Sequence, residues 1–548
     1  MKKKASGISA QSMAKGFAVL SAASIAVKVL SLLFVPILRK LMGGSAGYQV
    51  YTSANQIYAF VYVIATAGLP VAISKTVTEF VSTGNRPAAQ RSFRLARTFL
   101  AALGIVLTFL LIILAKPIAR ASGYEEAWLG IAVIAPNILI CSVLSAYRGY
   151  LQGLKNMSPT AISQVVEQIV HLAVAIFMVL ILRGKGLMWA VAGASFGTVA
   201  GSVTALAIVI YYYIKSGPLT DAAGAPAKGP YGLKEGDSAG NMADYPTGYY
   251  LKLLARYSIP ITLSSAIQYG GTIIDVFIVK SRLIKSGLSE SEAAAMHGDL
   301  SCARQLINVP TALVTALCVS VLPIIAGLYA ERKTAEAKQK AQESFRLCFL
   351  AAMPCSVALM AFAYQIYGVL DFDRPLIMTT MAMSVVLMGI VHLQSSIMQS
   401  VNLLYQSTIF VGIGVLLKAL FNYILIGIPG LNIYGAVIST YISYLGPLVM
   451  NAISLRKRKA ISINLFSPLL RPTIASAAML VPSIPLYYIV RKLLGFAGAY
   501  FSNLAAFGLA AIVCVIVYFV VMRATGGIVK EDVESISPRL ARKLKFRN

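Results

Sequence analysis

Apolar runs of about 20 residues recur along almost the whole chain, and no other feature constrains its fold as much. A run of that length crosses the ~30 Å hydrocarbon core of a bilayer as a helix. Charge is scarce to match. Of the 548 residues, 58% are hydrophobic and 12% charged, about half the charged share of a soluble chain. In hydrocarbon every backbone N–H and C=O needs an internal partner, which leaves helices or closed barrels. Runs this long read as helices. The expectation is an all-α polytopic membrane protein of about fourteen spans, near 14–38, 48–73, 91–115, 127–153, 159–182, 187–214, 252–282, 300–329, 344–369, 376–401, 404–428, 432–455, 469–490 and 499–522. The basic MKKK start is not followed by a short apolar stretch with a small-residue cleavage site, so no cleavable signal peptide is expected.

The net charge of +28 would suit nucleic acid in a soluble protein. In a membrane protein the simpler reading is that cytoplasmic loops are basic, and no nucleic-acid partner is expected. The loop 74–97 carries Lys75, Arg86, Arg91, Arg94 and Arg97. The loop 330–346 carries Arg332, Lys333, Lys338, Lys340 and Arg346, residues 456–459 read RKRK, and Lys530, Arg539, Arg542, Lys543, Lys545 and Arg547 crowd the tail. Placing these loops inside puts both termini in the cytoplasm. The six cysteines show no metal-type pairing and read as packing residues.

The chain repeats itself. GLPVAISK (68–75) followed by SFRLARTFLAAL (92–103) returns as VLPIIAGL (321–328) followed by SFRLCFLAAM (344–353). At nearly the same offset GASFGT (193–198) resembles GAVIST (435–440), and His171 falls opposite Lys418. Six helices per copy give both copies the same orientation, so a parallel pseudo-two-fold repeat is expected. The expected layout is an N-terminal lobe over 1–215, a Gly/Ala/Pro/Asp-rich cytoplasmic linker over 216–249, and a C-terminal lobe over 250–458. Two extra helices follow over 459–523, then a basic cytoplasmic tail over 524–548.

Glycine-rich phosphate loops, HExxH and G-x-S-x-G are all absent from the sequence, so nothing points to an enzyme, a metal site or a bound cofactor beyond a coupling ion of unknown identity. The informative residues are charges inside apolar segments, which are costly there and usually face a partner or a wet cavity. The stretch RGYLQGLKNMSPTAISQVVEQIVH (148–171) contains Arg148, Lys155, Glu167 and His171. Elsewhere lie Lys28, Asp275, Arg304 and Lys418. Bland alternatives stand beside the functional one. Lys28 and Arg304 can snorkel; Glu167 and His171, spaced i, i+4, can satisfy each other; Asp275 and Lys418 can neutralise each other. Glu167 is also expected to set the protonation of His171, and Arg148 and Lys155, at the cytoplasmic helix ends, read as gate residues. Several prolines (Pro36, Pro70, Pro136, Pro260, Pro310, Pro323, Pro354) fall within expected helices, and Gly270-Gly271 is expected to interrupt the seventh as a hinge. Basic groups outnumber acidic ones, which suits an anionic substrate better than a cationic drug. Arg and Lys both bind phosphate, and a lipid-linked pyrophosphate would keep its tail among membrane lipids.

TAGLPVAISKTVTEF (66–80), RGYLQGLKNMSPTAISQVVEQ (148–168), IDVFIVKSRL (274–283), KALFNYILI (418–426) and GAVIST (435–440) resemble the stage V sporulation protein B-like branch of the multidrug/oligosaccharidyl-lipid/polysaccharide (MOP) exporter superfamily, which includes lipid II flippases. The resemblance spans essentially helices one to twelve. It implies two six-helix lobes around a V-shaped cavity, alternating access, and export of an undecaprenyl-pyrophosphate-linked precursor by a protein taken to be monomeric. It also implies that Lys28 and Arg304 stand where lipid II flippases carry basic residues. The sequence departs from that pattern in places. An Arg-Asp pair of some lipid II flippases is Phe34-Val35 here, and His171 stands where Arg is frequent. Some relatives bind sodium through helices seven and eleven. Asp275 and Asn422 would supply such oxygens, but Lys418 sits one turn before Asn422 and is expected to replace the ion. A drug/cation antiporter of the same superfamily is the alternative reading.

Overall fold

The computed structural model describes residues 13–82, 85–154, 156–216, 246–457 and 466–527. Lys155 and most of the expected linker therefore lie outside the described residues. The described chain is helical without strands. Its first half contains α1 (Met13–Leu41), α2 (Ser45–Thr66), α3 (Leu69–Ser82), α4 (Arg86–Ala121), α5 (Trp128–Ile134), α6 (Pro136–Gly153), α7 (Ser158–Leu182) and α8 (Leu187–Ser216). The second half contains α9 (Thr247–Lys285), α10 (Glu290–Ala330), α11 (Thr334–Ala361), α12 (Ala363–Leu370), α13 (Pro375–Met381), α14 (Ser384–Ser400), α15 (Leu404–Leu425), α16 (Ile433–Lys457), α17 (Phe466–Leu493) and α18 (Ala499–Ala524).

Among the described residues, 12 helical segments are long and apolar enough to cross a membrane. Two more long helices, α1 and α10, stand where the first and eighth spans are expected. Large apolar side chains stand exposed, as on a surface that faces lipid: Ile113 is 72% exposed and Leu416 70%.

Helix breaks follow the local chemistry. The expected second span is divided at Ala67-Gly68, and Pro70 opens α3 in its first turn, where a missing N–H costs nothing. Pro136 likewise opens α6. Gly270-Gly271 does not interrupt anything: α9 is one continuous helix of 39 residues. In a membrane segment the intrahelical hydrogen bonds have no water to compete with them, so a glycine pair is carried without a break.

The described chain divides into two compact units. The first holds residues up to Gly298 together with Asn422–Asn432. Its helices approach closely at several glycines, the small-xxx-small logic of membrane helices. Gly149 and Gly153 on α6 face the Pro70 and Ser74 carbonyls of α3; a Cβ there would lie 2.7 and 2.8 Å from those oxygens. Thr78 Oγ1 uses the approach to donate to the Gly153 carbonyl at 2.9 Å. Nearby, Phe93, Tyr147, Tyr150 and Tyr213 pack ring to ring, with centroids 4.5–5.5 Å apart.

The second unit holds Asp299–Phe421 and Ile433 onward. In it α17 and α18 pair with each other and pack on α11 and α12. The Tyr518 hydroxyl anchors α18 by donating to the Leu350 carbonyl of α11 at 2.9 Å. Ser356 Oγ donates to the Ala382 carbonyl at 2.9 Å, tying α11 to the break between α13 and α14. Arg374, just before α13, reaches Asp299 at 2.8 Å.

Candidate functional site

In the first unit, α7 and α8 run antiparallel, and α8 presents glycine to α7. A Cβ on Gly201 would lie 2.5 Å from the Glu167 carbonyl oxygen and 3.1 Å from His171 Cβ; one on Gly197 would lie 2.6 Å from Ala175 Cβ. The α8 backbone therefore sits directly over α7. Thr198 and Ser202 are brought level with His171 and Glu167, and each polar pair closes across the helix interface. Ser202 Oγ donates to Glu167 Oε1 at 3.0 Å. Thr198 Oγ1 lies 3.3 Å from His171 Nε2. The other side of the His171 ring meets Phe34 of α1 edge-on, at 5.6 Å and 63°.

Glu167 has its counter-ion in Arg148. Nη2 of Arg148 donates to Glu167 Oε2 at 2.8 Å, and both Nε and Nη2 reach Ser163 Oγ at 3.1 and 2.9 Å. The two side chains are 14% and 25% exposed, so the pair works at an effective dielectric well below that of water. This corrects one expectation. The sequence spacing of Glu167 and His171 suggested mutual satisfaction, or control of His171 by Glu167. The α8 backbone instead draws them to separate partners. Arg148, expected at a gate, is the partner of that carboxylate.

A line of donors ends on Glu167. Asn137 Nδ2 donates to Tyr58 Oη at 2.8 Å, Tyr58 Oη to Cys141 Sγ at 4.0 Å, Cys141 Sγ to Ser202 Oγ at 3.4 Å, and Ser202 to the carboxylate. Each group donates in the same direction, so their dipoles add in stabilising the anion. Cys141, read as a packing residue, is one link of the line.

The other expected site residues are placed separately. Lys28 on α1 is exposed. Asp275 on α9 and Asn422 on α15 are both fully buried in the first unit, with Asn422 Nδ2 donating to Asp275 Oδ1 at 2.5 Å. The structure thus brings together the two oxygen-bearing residues singled out on those helices. Lys418 is buried and Arg304 half-buried; both belong to the second unit. Gly270 and Gly271 lie mid-helix in α9. Among the described residues no group of three or more His, Cys, Asp or Glu is arranged to hold a metal ion.

Two charged clusters escaped the sequence reading. One is Lys280 with Glu290, Tyr124 and His297. The other is Asp299 with Arg374. Both involve the start of α10, which begins about three turns before its expected position near residue 300. The signal was present as a capping box: Ser289 Oγ accepts from the Glu292 N–H at 3.3 Å, and Glu292 Oε2 accepts from the Ser289 N–H at 3.1 Å.

Comparison with known proteins agrees with this architecture. Residues 13–329, more than half of the chain, match the family model described as polysaccharide biosynthesis protein. Stage V sporulation protein B of Bacillus subtilis is 24% identical over 461 residues, covering 83% of this chain and 86% of that protein. The lipid II flippase MurJ of Bacillus subtilis is 24% identical over 474 residues, covering 82% and 84%. Among solved structures, a lipid II flippase MurJ in an inward closed conformation aligns with a TM-score of 0.64 at 15% identity, covering 93% of this chain and 98% of that one. A multidrug resistance MATE family transporter of the MOP superfamily aligns in its inward-facing conformation (TM-score 0.62, 16% identity, 80% and 99% covered) and in an outward-facing one (TM-score 0.58, 16% identity, 81% and 96% covered). These likenesses show a shared fold. The chain belongs to the polysaccharide biosynthesis protein family, and among its described residues 12 helical segments are long and apolar enough to cross a membrane.

Proposed function

We propose that this chain moves a polyprenyl-pyrophosphate-linked precursor, lipid II or a related polysaccharide precursor, across the bacterial cytoplasmic membrane by alternating access. One observation carries the reading: Arg148 neutralises Glu167. Beyond that pair, the charged residues singled out inside the expected helices are Lys28, Arg304 and Lys418 against Asp275, a basic balance. A phosphate-bearing head group is the natural cargo for such a set, and a cationic drug is not. The sequence likeness to a lipid II flippase points the same way.

In this reading Lys28 and Arg304 hold the pyrophosphate. His171 and Lys418 are further phosphate-binding groups, and both termini lie in the cytoplasm. Lys418 takes the place of a bound cation. The test is flipping of fluorescent lipid II in vesicles reconstituted with the wild-type chain, Lys28→Ala and Arg304→Ala. Loss of flipping in both variants, with both still folded, supports the reading. Equal rates in all three would sink it, and transport of cationic dyes with no lipid II flipping would favour the antiporter.

A further inference from the structure

The end of α9 and the start of α10 are fastened to the turn that follows α4. Lys280 lies a turn and a half before the end of α9, and its side chain is 7% exposed. Its ammonium donates to the Gly123 carbonyl and, at 2.6 Å, to Glu290 Oε1 of α10. It also stands 4.7 Å over the ring of Tyr124. Tyr124 is itself held from the far side, its hydroxyl 2.8 Å from Nδ1 of His297. Tyr124 and His297 are 2% and 0% exposed. Gly123 adopts φ +72°, which turns its carbonyl toward the ammonium and disfavours any other residue there.

Three kinds of contact therefore converge from one hairpin onto one turn: a charge-assisted hydrogen bond to the Gly123 carbonyl, a cation–π contact and a phenol–imidazole hydrogen bond. Their chemistry is that of a reversible fastening. A buried ammonium contributes little net stability, because desolvation offsets most of what its partners return. Glu290, its counter-ion, is 76% exposed and belongs to the same hairpin, so the ammonium keeps a partner when the hairpin leaves the turn. A hairpin meant to stay put would be held more firmly by packed aliphatic side chains. The fastening also stands a single residue before the point, between Gly298 and Asp299, where α10 passes from the first unit to the second. Solved relatives with this fold adopt both inward-facing and outward-facing conformations.

We propose that Lys280, Tyr124, Glu290 and His297 form a latch that holds the α9–α10 hairpin against the turn after α4 in one conformation and releases it in another. Lys280 is its charged bolt and Tyr124 the strike on which it closes. The latch sets the balance between the two conformations whichever anionic lipid is carried.

The test needs no substrate. The full-length chain, with its six native cysteines replaced, is spin-labelled at the exposed Glu126 and Ser291 positions in lipid nanodiscs, and the inter-label distance distribution is measured. Minor conformers are commonly populated at about 0.1–10%. The wild-type distribution is expected to be dominated by one short distance. Lys280→Met and Tyr124→Phe are each expected to enlarge a longer-distance population at least about threefold, while Lys280→Arg, which keeps the charge, stays near wild type. Unchanged distributions in both Lys280→Met and Tyr124→Phe would overturn the latch. A shift in Lys280→Arg as large as in Lys280→Met would overturn the role given to the charge. Because the readout is conformational, it succeeds or fails independently of the lipid flipping assay.

Discussion

Arg148 and Glu167 meet at 2.8 Å across the α6–α7 interface, with Ser163 and Ser202 completing their hydrogen bonds. The arrangement turns the only carboxylate of the 148–171 stretch into half of a neutral pair. It also joins three helices of the first unit through side chains alone.

A double-mutant cycle should expose that coupling. Arg148→Ala and Glu167→Ala each break a partly buried, charge-assisted pair, and each is expected to lower stability by about 1.5–3 kcal/mol. The double variant should cost clearly less than the two losses added together. Thermal unfolding in detergent measures this, and strict additivity would show that the two groups do not depend on each other.

Gly201 sets the approach of α8 to α7, because any Cβ there runs into the Glu167 carbonyl oxygen at 2.5 Å. A backbone oxygen cannot rotate away as a side chain can. Gly201→Ala is expected to destabilise the protein by about 1–3 kcal/mol. Gly508→Ala, in the interior of α18 with open space around it, should be neutral or stabilising by up to about 1 kcal/mol from helix propensity. Equal melting temperatures for the two variants would contradict the packing account.

Lys28 is exposed on α1, so its removal should leave the fold intact. Lys28→Ala is expected to reach the membrane in normal amount and to melt within about 0.5 kcal/mol of wild type, as surface changes usually do. In the proposed function it nevertheless loses rescue of a flippase-depleted strain, while Lys28→Arg keeps it. Full rescue by Lys28→Ala would remove Lys28 from the transport path.

The Asp275–Asn422 contact gives the coupling question a handle. If Lys418 occupies the role of a bound cation, transport in vesicles should run at the same rate in sodium, potassium or choline. Asp275→Asn should slow it equally in each. A sodium requirement that disappears in Asp275→Asn and persists in Lys418→Ala would mean that the carboxylate binds the ion itself.

The class of the molecule is written in the local sequence, because a bilayer imposes its demand on each segment separately. Twenty apolar residues must be helical wherever they stand, so the spans could be placed from hydropathy, and the proline at the head of α3 or α6 marks a break through its missing N–H. The capping box at Ser289 and Glu292 was equally local, and would have placed the start of α10 correctly. Partner choice is not local. The i, i+4 spacing of Glu167 and His171 puts them on one helix face, but which groups they meet depends on the neighbouring helix. Gly201 lets α8 come over that face, and Arg148 arrives from α6. In the same way Lys280 reads along the chain as one more interfacial lysine. Only the fold brings the Gly123 carbonyl, Tyr124 and Glu290 around its ammonium. Sequence by itself determined what each segment must be in hydrocarbon; tertiary structure decided which charges meet and cancel, because pairing is set by distances that close only when the helices pack.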